Sequence, residues 1–481
     1  MPKSRNSDHS NANEDKKPTP RRYRIAMCSD FFFPRLGGVE MHIWSLAQCF
    51  LQRGHKVIVL THAIHDKNVK YTDAKRPELR SGIRWMTNGL KVYYLPITTF
   101  VENVTYPAII DFFALFRTIC IRERIEIVHG HQATSVLMHE CLLYAKTMGS
   151  MKTVYTDHSL FGFADAASVH LNKSLKFSLS TVDHAICVSH TCKANLVLRA
   201  CLSPEIVSTI PNAVDASKFM PPSNPPDASP GAIITIVVIS RLVYRKGMSI
   251  LVQAIPIVCA RTHNVRFLIG GDGPKLIDLE QMRERYQLHD RVELLGAVPH
   301  SQVRQILCRG HIFLNSSLTE SFCIAILEAA SCGLYVVSTC VGGIPEVLPN
   351  DMIEFSTEIT GEALADAVLR AVPCASTIDR QVFHDRVARM YNWQDVAART
   401  EKVYTRLCTL PDPPLIRRLQ LYYGIGPIAG ALACIIAVVM HLYLAILEIW
   451  YPRDSIEIAL DYPCRSIVTE SGSEPDEIEV E

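Results

Sequence analysis

The feature that most constrains this fold is an alternation of short apolar runs with helix-like segments, which is interrupted once and then restarts. Short apolar runs bounded by turn residues are typical of buried strands in parallel sheets. In the first half of the chain such runs occur at residues 25–28, 57–60, 91–95, 125–129, 153–156, 184–188 and 207–210. In the second half they occur at residues 233–239, 265–269, 292–295, 311–314 and 335–338. The interruption, MPPSNPPDASPG at residues 220–231, has the composition of a linker.

This pattern predicts an α/β protein with two parallel sheets. A chain of 481 residues is also too long for one hydrophobic core, which supports two domains. We assign residues 22–219 to an N-terminal Rossmann-like domain and residues 232–410 to a C-terminal Rossmann-like domain, with residues 220–231 as the linker. Residues 1–21 and 452–481 are predicted to be a disordered tail and an acidic tail, because they have little to bury.

A stretch of 29 residues between Arg418 and Glu448 contains no Asp, Glu, Lys or Arg. About 20 apolar residues suffice to cross a bilayer, so residues 421–449 are predicted to form one C-terminal transmembrane helix. A buried core helix is the alternative, although globular helices seldom run this long without an ionisable residue. Basic residues slightly favour a cytosolic amino-terminal side, since three arginines precede the stretch and two follow it: Arg406, Arg417 and Arg418, then Arg453 and Arg465.

Cysteine usage and charge also indicate the compartment and the partners. The 16 Cys are scattered through apolar segments without the regular pairs of a secreted disulfide framework. No apolar run precedes Tyr23, so a cleaved secretory signal is not expected and the sequons at Asn103, Asn172 and Asn315 are interpreted as chance matches. A net charge of +1 gives no basis for nucleic-acid binding. We therefore expect the two domains to face the cytosol.

Candidate phosphate-binding residues follow the first predicted strand of each domain. Ligands of such folds bind at this edge of the sheet. Gly37 and Gly38 offer free N–H groups at a helix start, which suit a phosphate, although a plain turn is the alternative. Arg241 and Lys246 lie in one loop, SRLVYRKG, and could neutralise a diphosphate leaving group together, although a solvated basic loop would look the same.

A second cluster lies in TESFCIAILEAASCG, which starts at Thr319 just after another predicted strand. Glu320 and Glu328 flank an apolar helix start, and carboxylates accept hydrogen bonds from sugar and ribose hydroxyls. The peptide N–H groups of Phe322, Cys323 and Ile324 would be free to meet hydroxyls or an anion. The alternative is a carboxylate that stabilises the helix dipole, followed by an exposed Glu.

Together these motifs resemble retaining glycosyltransferase family 4, whose members have the GT-B fold of two Rossmann-like domains facing across a cleft. The resemblance rests on Gly37 and Gly38, Arg241 and Lys246, GGDGP from Gly270, and Glu320 with seven residues before Glu328. Further segments are similar to family members that act on phosphatidylinositol: TDHSLFGFAD from Thr156, IPNAVD from Ile210, LTESFCIAILEAASCGL from Leu318 and VSTCVGGIPEVLP from Val337. The resemblance covers residues 22–450.

The resemblance implies transfer of N-acetylglucosamine from UDP-N-acetylglucosamine to phosphatidylinositol, with retention of configuration, as the first step of GPI-anchor synthesis. It also implies a single-pass protein of the endoplasmic reticulum membrane that works with other subunits of a multi-protein complex. On the donor side it implies that Arg241 and Lys246 stabilise the diphosphate, Glu328 holds the ribose, Glu320 orients the sugar, and Gly37 and Gly38 approach the phosphates.

On the acceptor side the resemblance points to a histidine. His131, in VHGHQATS, matches the acceptor-side histidine of the family, and His158 is a second acceptor-side candidate, whereas His129 is interpreted as structural. A His-x-His metal pair with His158 as a third ligand is the alternative. No Asp-x-Asp motif occurs and GT-B enzymes do not need a metal for the diphosphate, so neither a metal nor another cofactor is predicted.

Two other functions remain open from the sequence. A related membrane glycosyltransferase could use another nucleotide sugar, because pocket shape rather than the shared cations selects the sugar. A non-catalytic scaffold could keep the same fold to hold partners at the membrane. Every ionisable residue of the motifs is present, which argues against a scaffold, since a scaffold needs none of them.

Overall fold

The structure is a computed structural model that describes residues 21–35, 37–65, 79–99, 104–162, 166–229 and 231–461. The predicted N-terminal tail up to residue 20, the acidic tail after residue 461 and the sequon at Asn103 lie outside the described residues.

Eight strands form the sheet of the N-terminal half. They are β1 (Arg24–Cys28), β2 (Lys56–His62), β5 (Gly82–Met86), β6 (Leu90–Leu95), β7 (Ile127–His131), β8 (Lys152–Asp157), β9 (His184–Cys187) and β10 (Val207–Thr209). Their order is β10-β9-β8-β7-β1-β2-β6-β5, and all neighbours are parallel except β5, which is antiparallel to β6. Two short strands, β3 (Ile64–His65) and β4 (Leu79–Arg80), pair separately.

Six strands form a second sheet, which is parallel throughout. They are β11 (Ile234–Ile239), β12 (Val265–Gly270), β13 (Val292–Gly296), β14 (Ile312–Asn315), β15 (Tyr335–Thr339) and β16 (Ile353–Ser356). Their order is β13-β12-β11-β14-β15-β16. The prediction of two parallel α/β domains is therefore confirmed.

Helices separate the strands in both halves, as the parallel strands require. Those of the N-terminal half are α1 (Gly38–Gln52), α2 (Asp111–Glu123), α3 (Val136–Met148), α4 (Ala166–Leu179) and α5 (His190–Ala200). Those of the C-terminal half are α6 (Met248–Arg261), α7 (Leu276–Arg285), α8 (His300–Leu307), α9 (Ile324–Ser331), α10 (Gly361–Cys374), α11 (Arg380–Met390) and α12 (Trp393–Cys408). Two further helices follow, α13 (Leu415–Tyr423) and α14 (Pro427–Trp450).

Four strands of the structure were not predicted from the sequence pattern: β3, β4, β5 and β16. Strand β5 lies at the edge of its sheet and is mostly exposed, with Ile83 and Trp85 facing outward, so it lacks the continuous apolar run of a buried strand. The predicted run at residues 125–129 is offset by two residues from β7, which starts at Ile127 and ends at His131. His131 therefore lies within the strand rather than after it.

Helix α12 returns to the N-terminal half and packs against α1. Its residues Val396, Val403 and Tyr404 are buried in the same cluster as Ile43 and Phe50 of α1. The Tyr404 hydroxyl also hydrogen-bonds the ring of His129, with 2.7 Å between the oxygen and Nδ1. One element of residues 232–410 therefore belongs to the core of the N-terminal sheet, while the domain bounds themselves stay a prediction.

Among the described helices, only α14 is long and apolar enough to cross a membrane. It starts at Pro427 rather than at residue 421, because the chain turns at Gly426 with a φ of +148°, a backbone conformation that favours glycine. One face packs on the N-terminal half, where Ala433, Ala437 and Met440 are buried. The opposite face, which includes Leu442, is exposed and apolar. A buried core helix would have no such face, so this arrangement favours the transmembrane prediction.

Candidate functional site

Each sheet reverses its strand order at the strands that carry the motifs. In the N-terminal sheet β1 lies between β2 and β7, and in the C-terminal sheet β11 lies between β12 and β14. Ligands of open α/β sheets bind at such reversal points, beyond the carboxyl ends of the strands. The motif residues follow these strands: Gly37 and Gly38 after β1, His131 at the end of β7, Arg241 and Lys246 after β11, and Glu320 after β14.

Lys246 and Glu320 form an ion pair beyond the C-terminal sheet. The Lys246 ammonium donates a hydrogen bond to the Glu320 carboxylate, which also accepts one from the Ser317 hydroxyl at 2.9 Å. Burial lowers the pKa of Lys246, but the Glu320 carboxylate outweighs burial and leaves that pKa above its ordinary value. Lys246 is therefore a fixed positive charge at neutral pH.

The backbone holds Lys246 in this place. Gly247 adopts a φ of +69°, and a Cβ there would lie 1.7 Å from the carbonyl oxygen of Ser316. The Ser316 hydroxyl donates to the Lys246 carbonyl at 2.8 Å. Only glycine permits this approach, so the loop after β11 and the loop after β14 are locked together.

Arg241 lies on the side of the C-terminal sheet that faces the N-terminal half. It is exposed and forms no ion pair with the carboxylates of the described residues. Burial raises the pKa of the Glu40 carboxyl on α1, and the charge of Arg241 opposes that rise. The same charge lowers the pKa of Lys246. Arg241 therefore lies within electrostatic range of both Glu40 and Lys246.

The loop of Gly37 and Gly38 meets the start of α9 across this cleft. A Cβ on Gly38 would lie 3.9 Å from Cδ1 of Ile324, the first residue of α9. A Cβ on Gly37 would lie 2.5 Å from a carboxylate oxygen of Glu40, so glycine leaves room for that side chain. Glu40 was not singled out from the sequence, although its place in the first turn of α1, after two glycines, is a usable signal.

The start of α9 leaves peptide N–H groups available. Cys323, the residue before α9, has a φ of +70°, and its side chain makes no capping hydrogen bond to the helix. The first N–H groups of a helix have no intrahelical acceptor, so those of Phe322, Cys323 and Ile324 can serve a ligand. The Phe322 ring is buried edge-on against Tyr391, with 5.7 Å between the ring centroids. Burial raises the pKa of the Cys323 thiol to about 12, so this thiol stays protonated.

Glu328 has a partner that sequence reasoning missed. Its carboxylate lies 3.5 Å from Nε2 of His300, the first residue of α8. The hydrogen bond with Glu328 raises the pKa of His300 above its ordinary value. No local pattern links the two residues, which are 28 positions apart and meet only because α8 and α9 pack on the same sheet.

On the N-terminal side of the cleft lies a group of three histidine rings, His42, His131 and His158. His131 Nδ1 is 3.4 Å from His158 Nε2, and His42 packs against both rings at centroid distances of 5.5 and 4.6 Å. His42 Nδ1 is 2.8 Å from Oδ1 of Asn212. The structure thus brings together the two predicted acceptor-side histidines and adds His42, which lies one helical turn after Gly38 and so on the same face of α1.

A fourth histidine, His129, has both of its ring nitrogens hydrogen-bonded. Its Nδ1 and Nε2 each lie 2.7 Å from a hydroxyl, that of Tyr404 and that of Thr156. Burial lowers the pKa of His129 to about 3 and that of His42 to about 4. Burial also holds the pKa values of His131 and His158 well below their ordinary range, so all four rings are neutral at neutral pH.

Polar contacts join the two halves around the cleft. The Ser321 hydroxyl donates to the carbonyl of His158, and the Arg245 guanidinium donates to that of Leu160 at 3.0 Å. The Glu346 carboxylate accepts the N–H groups of His190 and Thr191, at 2.6 and 2.8 Å, at the start of α5. These contacts close the cleft at one edge, and Glu346 in particular caps a helix of the opposite half.

Comparisons with known proteins identify the family and the fold of the chain. Residues 75–165 match a family model described as PIGA (GPI anchor biosynthesis), and residues 233–372 match one described as glycosyl transferases group 1. The solved structure of a sucrose-phosphate synthase from Thermosynechococcus elongatus superimposes with a TM-score of 0.63 at 20% identity, over 80% of this chain and 99% of that one.

Two curated relatives are similar over nearly their whole length, and both are named as subunits of phosphatidylinositol N-acetylglucosaminyltransferase. The protein from Arabidopsis thaliana is 53% identical over 92% of this chain and 95% of its own. The protein from Homo sapiens is 49% identical over 92% of this chain and 88% of its own. The chain therefore belongs to the PIGA family of phosphatidylinositol N-acetylglucosaminyltransferase subunits and has the GT-B glycosyltransferase fold.

Proposed function

We propose that this chain transfers N-acetylglucosamine from UDP-N-acetylglucosamine to phosphatidylinositol with retention of configuration, the first reaction of GPI-anchor biosynthesis. Membership of the PIGA family supports the reaction, because the relatives are named for it. The observation that carries the proposal is the pair of cations, Arg241 and Lys246, beside Glu320 at the reversal point of the C-terminal sheet.

On the donor side, two cationic side chains are available to bind the diphosphate. Lys246 is held by Glu320 and stays protonated, whereas Arg241 has no carboxylate partner among the described residues and can turn to a phosphate. As the bond to the sugar breaks, negative charge grows on the diphosphate, and preorganised cationic side chains stabilise that charge without a metal ion. Glu320 then orients the donor sugar, and Glu328 holds the ribose hydroxyls once it exchanges His300 for them.

Backbone donors complete the donor site. The N–H groups of Phe322, Cys323 and Ile324 stand at the start of α9, and the loop of Gly37 and Gly38 faces that helix from the other half. Peptide N–H groups at helix starts bind phosphate oxygens and hydroxyls well. The two halves would thus hold the diphosphate from opposite sides.

In the transfer step, the bond between the anomeric carbon and the UDP oxygen breaks while the inositol oxygen bonds to that carbon from the same face. The proton of the inositol hydroxyl passes to the departing diphosphate oxygen, so no covalent glycosyl-enzyme is needed. His131 and His158 lie on the acceptor side as neutral rings, and a neutral ring can hydrogen-bond a hydroxyl of the acceptor or of the sugar.

The acceptor is a lipid, and α14 supplies a route to the membrane. We propose that the chain resides in the endoplasmic reticulum membrane as a single-pass protein, with both sheets in the cytosol and α14 in contact with lipid. The exposed apolar face of α14 and its length support membrane association. As a member of the PIGA family, the chain would work with other subunits of a transferase complex.

A donor panel tests this function directly. Microsomes that contain the chain and its partner subunits are given radiolabelled UDP-N-acetylglucosamine, UDP-glucose or GDP-mannose with phosphatidylinositol. We expect label in a glycolipid only from UDP-N-acetylglucosamine, with an α-linkage by NMR, because the donor has that configuration. Labelling from GDP-mannose alone would indicate a related transferase, a β-linked product would rule out retention, and no labelling from any donor would indicate a scaffold.

A further inference from the structure

We propose that His42, His131 and His158 form a binding site for one divalent transition-metal ion such as Zn²⁺. The three histidines belong to the N-terminal half, whereas the cations of the donor side belong to the C-terminal half, and the inference does not depend on the proposed function. It departs from the sequence-based expectation that the chain holds no metal.

The spacing of the ring nitrogens fits such an ion. One nitrogen from each of the three rings lies within 4.8 Å of the others. His131 Nδ1 and His158 Nε2 are 3.4 Å apart. Two nitrogens that bind one tetrahedral Zn²⁺ at 2.0–2.1 Å lie about 3.4 Å from each other, so this pair already has the required separation.

An unpaired nitrogen on His42 points to a missing ligand. His42 Nε2 is buried and has no hydrogen-bond partner among the residues that the structure describes. A buried polar atom without a partner costs free energy, and a metal ion bound to His42 Nε2 removes this cost.

The surroundings prepare His42 as a ligand. Asn212 Oδ1 can only accept a hydrogen bond, so at 2.8 Å it fixes the proton on Nδ1 and leaves the lone pair on Nε2. Burial keeps all three rings neutral, which is the form that binds metals.

The ligand set differs from the His-x-His pair suggested by the sequence. His129 is excluded because both of its nitrogens are hydrogen-bonded to hydroxyls, and His42 takes its place. Three neutral ligands leave a fourth position open on Zn²⁺ for a water, hydroxyl or phosphate oxygen. The backbone of His158 accepts a hydrogen bond from Ser321, so the three rings lie close to a contact between the two halves.

Metal analysis of the full-length protein in detergent, purified without a histidine tag, tests the site. After incubation with Zn²⁺ and removal of excess ion, we expect about one Zn²⁺ per chain by mass spectrometry. Protein loaded with Co²⁺ should show the visible absorption of a four-coordinate site. Protein without stoichiometric Zn²⁺ and without this absorption would overturn the proposal.

Variants identify the ligands. His42→Asn and His158→Asn should each lose the bound ion, while His170→Asn, an exposed histidine on α4, should keep it. Near-ultraviolet circular dichroism checks that the variants are folded, and the Co²⁺ spectrum of the unmodified protein is decisive if they are not. Full retention of the ion in folded His42→Asn and His158→Asn would show that it binds elsewhere.

Discussion

The two reversal points of the sheets have opposite chemical character. Beyond the C-terminal sheet lie charged groups, with Lys246 paired to Glu320 and Arg241 close by. Beyond the N-terminal sheet lie buried neutral rings, among them His131 and His158. Fixed charges suit a donor whose leaving group gains negative charge, whereas neutral rings suit an acceptor that must come close without electrostatic competition. The difference teaches that one fold can place an ion pair at one reversal point and neutral buried rings at the other.

The largest effect should follow from removal of the donor-side charge. Lys246→Ala should lower kcat by about 10²–10³-fold, the loss seen when one electrostatic donor to a developing charge is removed. Membrane association should not change, because α14 is untouched. The control is Lys275→Ala, since that lysine only pairs with Asp278 at the surface. Microsomal turnover measures the effect. Normal turnover in Lys246→Ala would show that the charge on the donor side does not contribute to the reaction.

The second test addresses the neutral side. His131→Asn should lower kcat/KM for phosphatidylinositol by about tenfold or more, because a hydrogen bond to a reacting hydroxyl is lost. Inhibition by free UDP should stay the same, since His131 belongs to the N-terminal sheet and the donor cations follow a strand of the C-terminal sheet. The exposed His170→Asn variant is the control. If His131→Asn weakened inhibition by UDP as much as it lowered kcat/KM for phosphatidylinositol, the donor and acceptor sites would not be separate.

The third test concerns the contact that joins the sides. Glu346→Gln should weaken the cap on α5 by about 1–2 kcal/mol, because the carboxylate accepts the N–H groups of His190 and Thr191. The cleft should then open more readily, and KM for the donor should rise severalfold. Glu293→Gln, which loses only a surface ion pair with Arg309, is the control. An unchanged KM would mean that this contact does not hold the cleft closed.

The smallest effect is a pH dependence on the donor side. Since the hydrogen bond with Glu328 raises the pKa of His300, the stability that this pair supplies is complete below the unfolded pKa of about 6.5 and is lost as pH rises through the folded pKa. His300→Asn should therefore cost less than about 1 kcal/mol at low pH and nothing at high pH, because the pair is partly exposed. Urea unfolding at pH values on both sides of this range measures the difference, and a cost that grows with pH would contradict the pairing.

Much of the fold could be predicted because its signals are local. Buried parallel strands such as β2 and β11 are continuous apolar runs, and glycines mark the turns that follow helices and strands. The strands that escaped prediction, such as β5, lie at an edge where one face meets solvent and the apolar run is lost. The start of α14 at Pro427 also depended on a turn at Gly426 that hydropathy does not register.

The candidate site also contains some residues that the sequence could identify and others that it could not. Arg241, Lys246 and Glu320 could be found because each follows a strand, and strand ends collect at one edge of a parallel sheet. His300 and Glu346 could not be found, since their partners lie on other elements and are set by packing.

By itself, the sequence determined the two α/β domains, the apolar helix and the residues beyond each strand, because apolar periodicity and turn chemistry act over a few neighbours. The tertiary structure alone decided which of those residues meet. Lys246 and Glu320 are 74 positions apart, and His42 on helix α1 meets His131 on β7 and His158 after β8. These meetings depend on the order of strands in each sheet and on the closure of one sheet against the other, and neither is encoded in any local pattern.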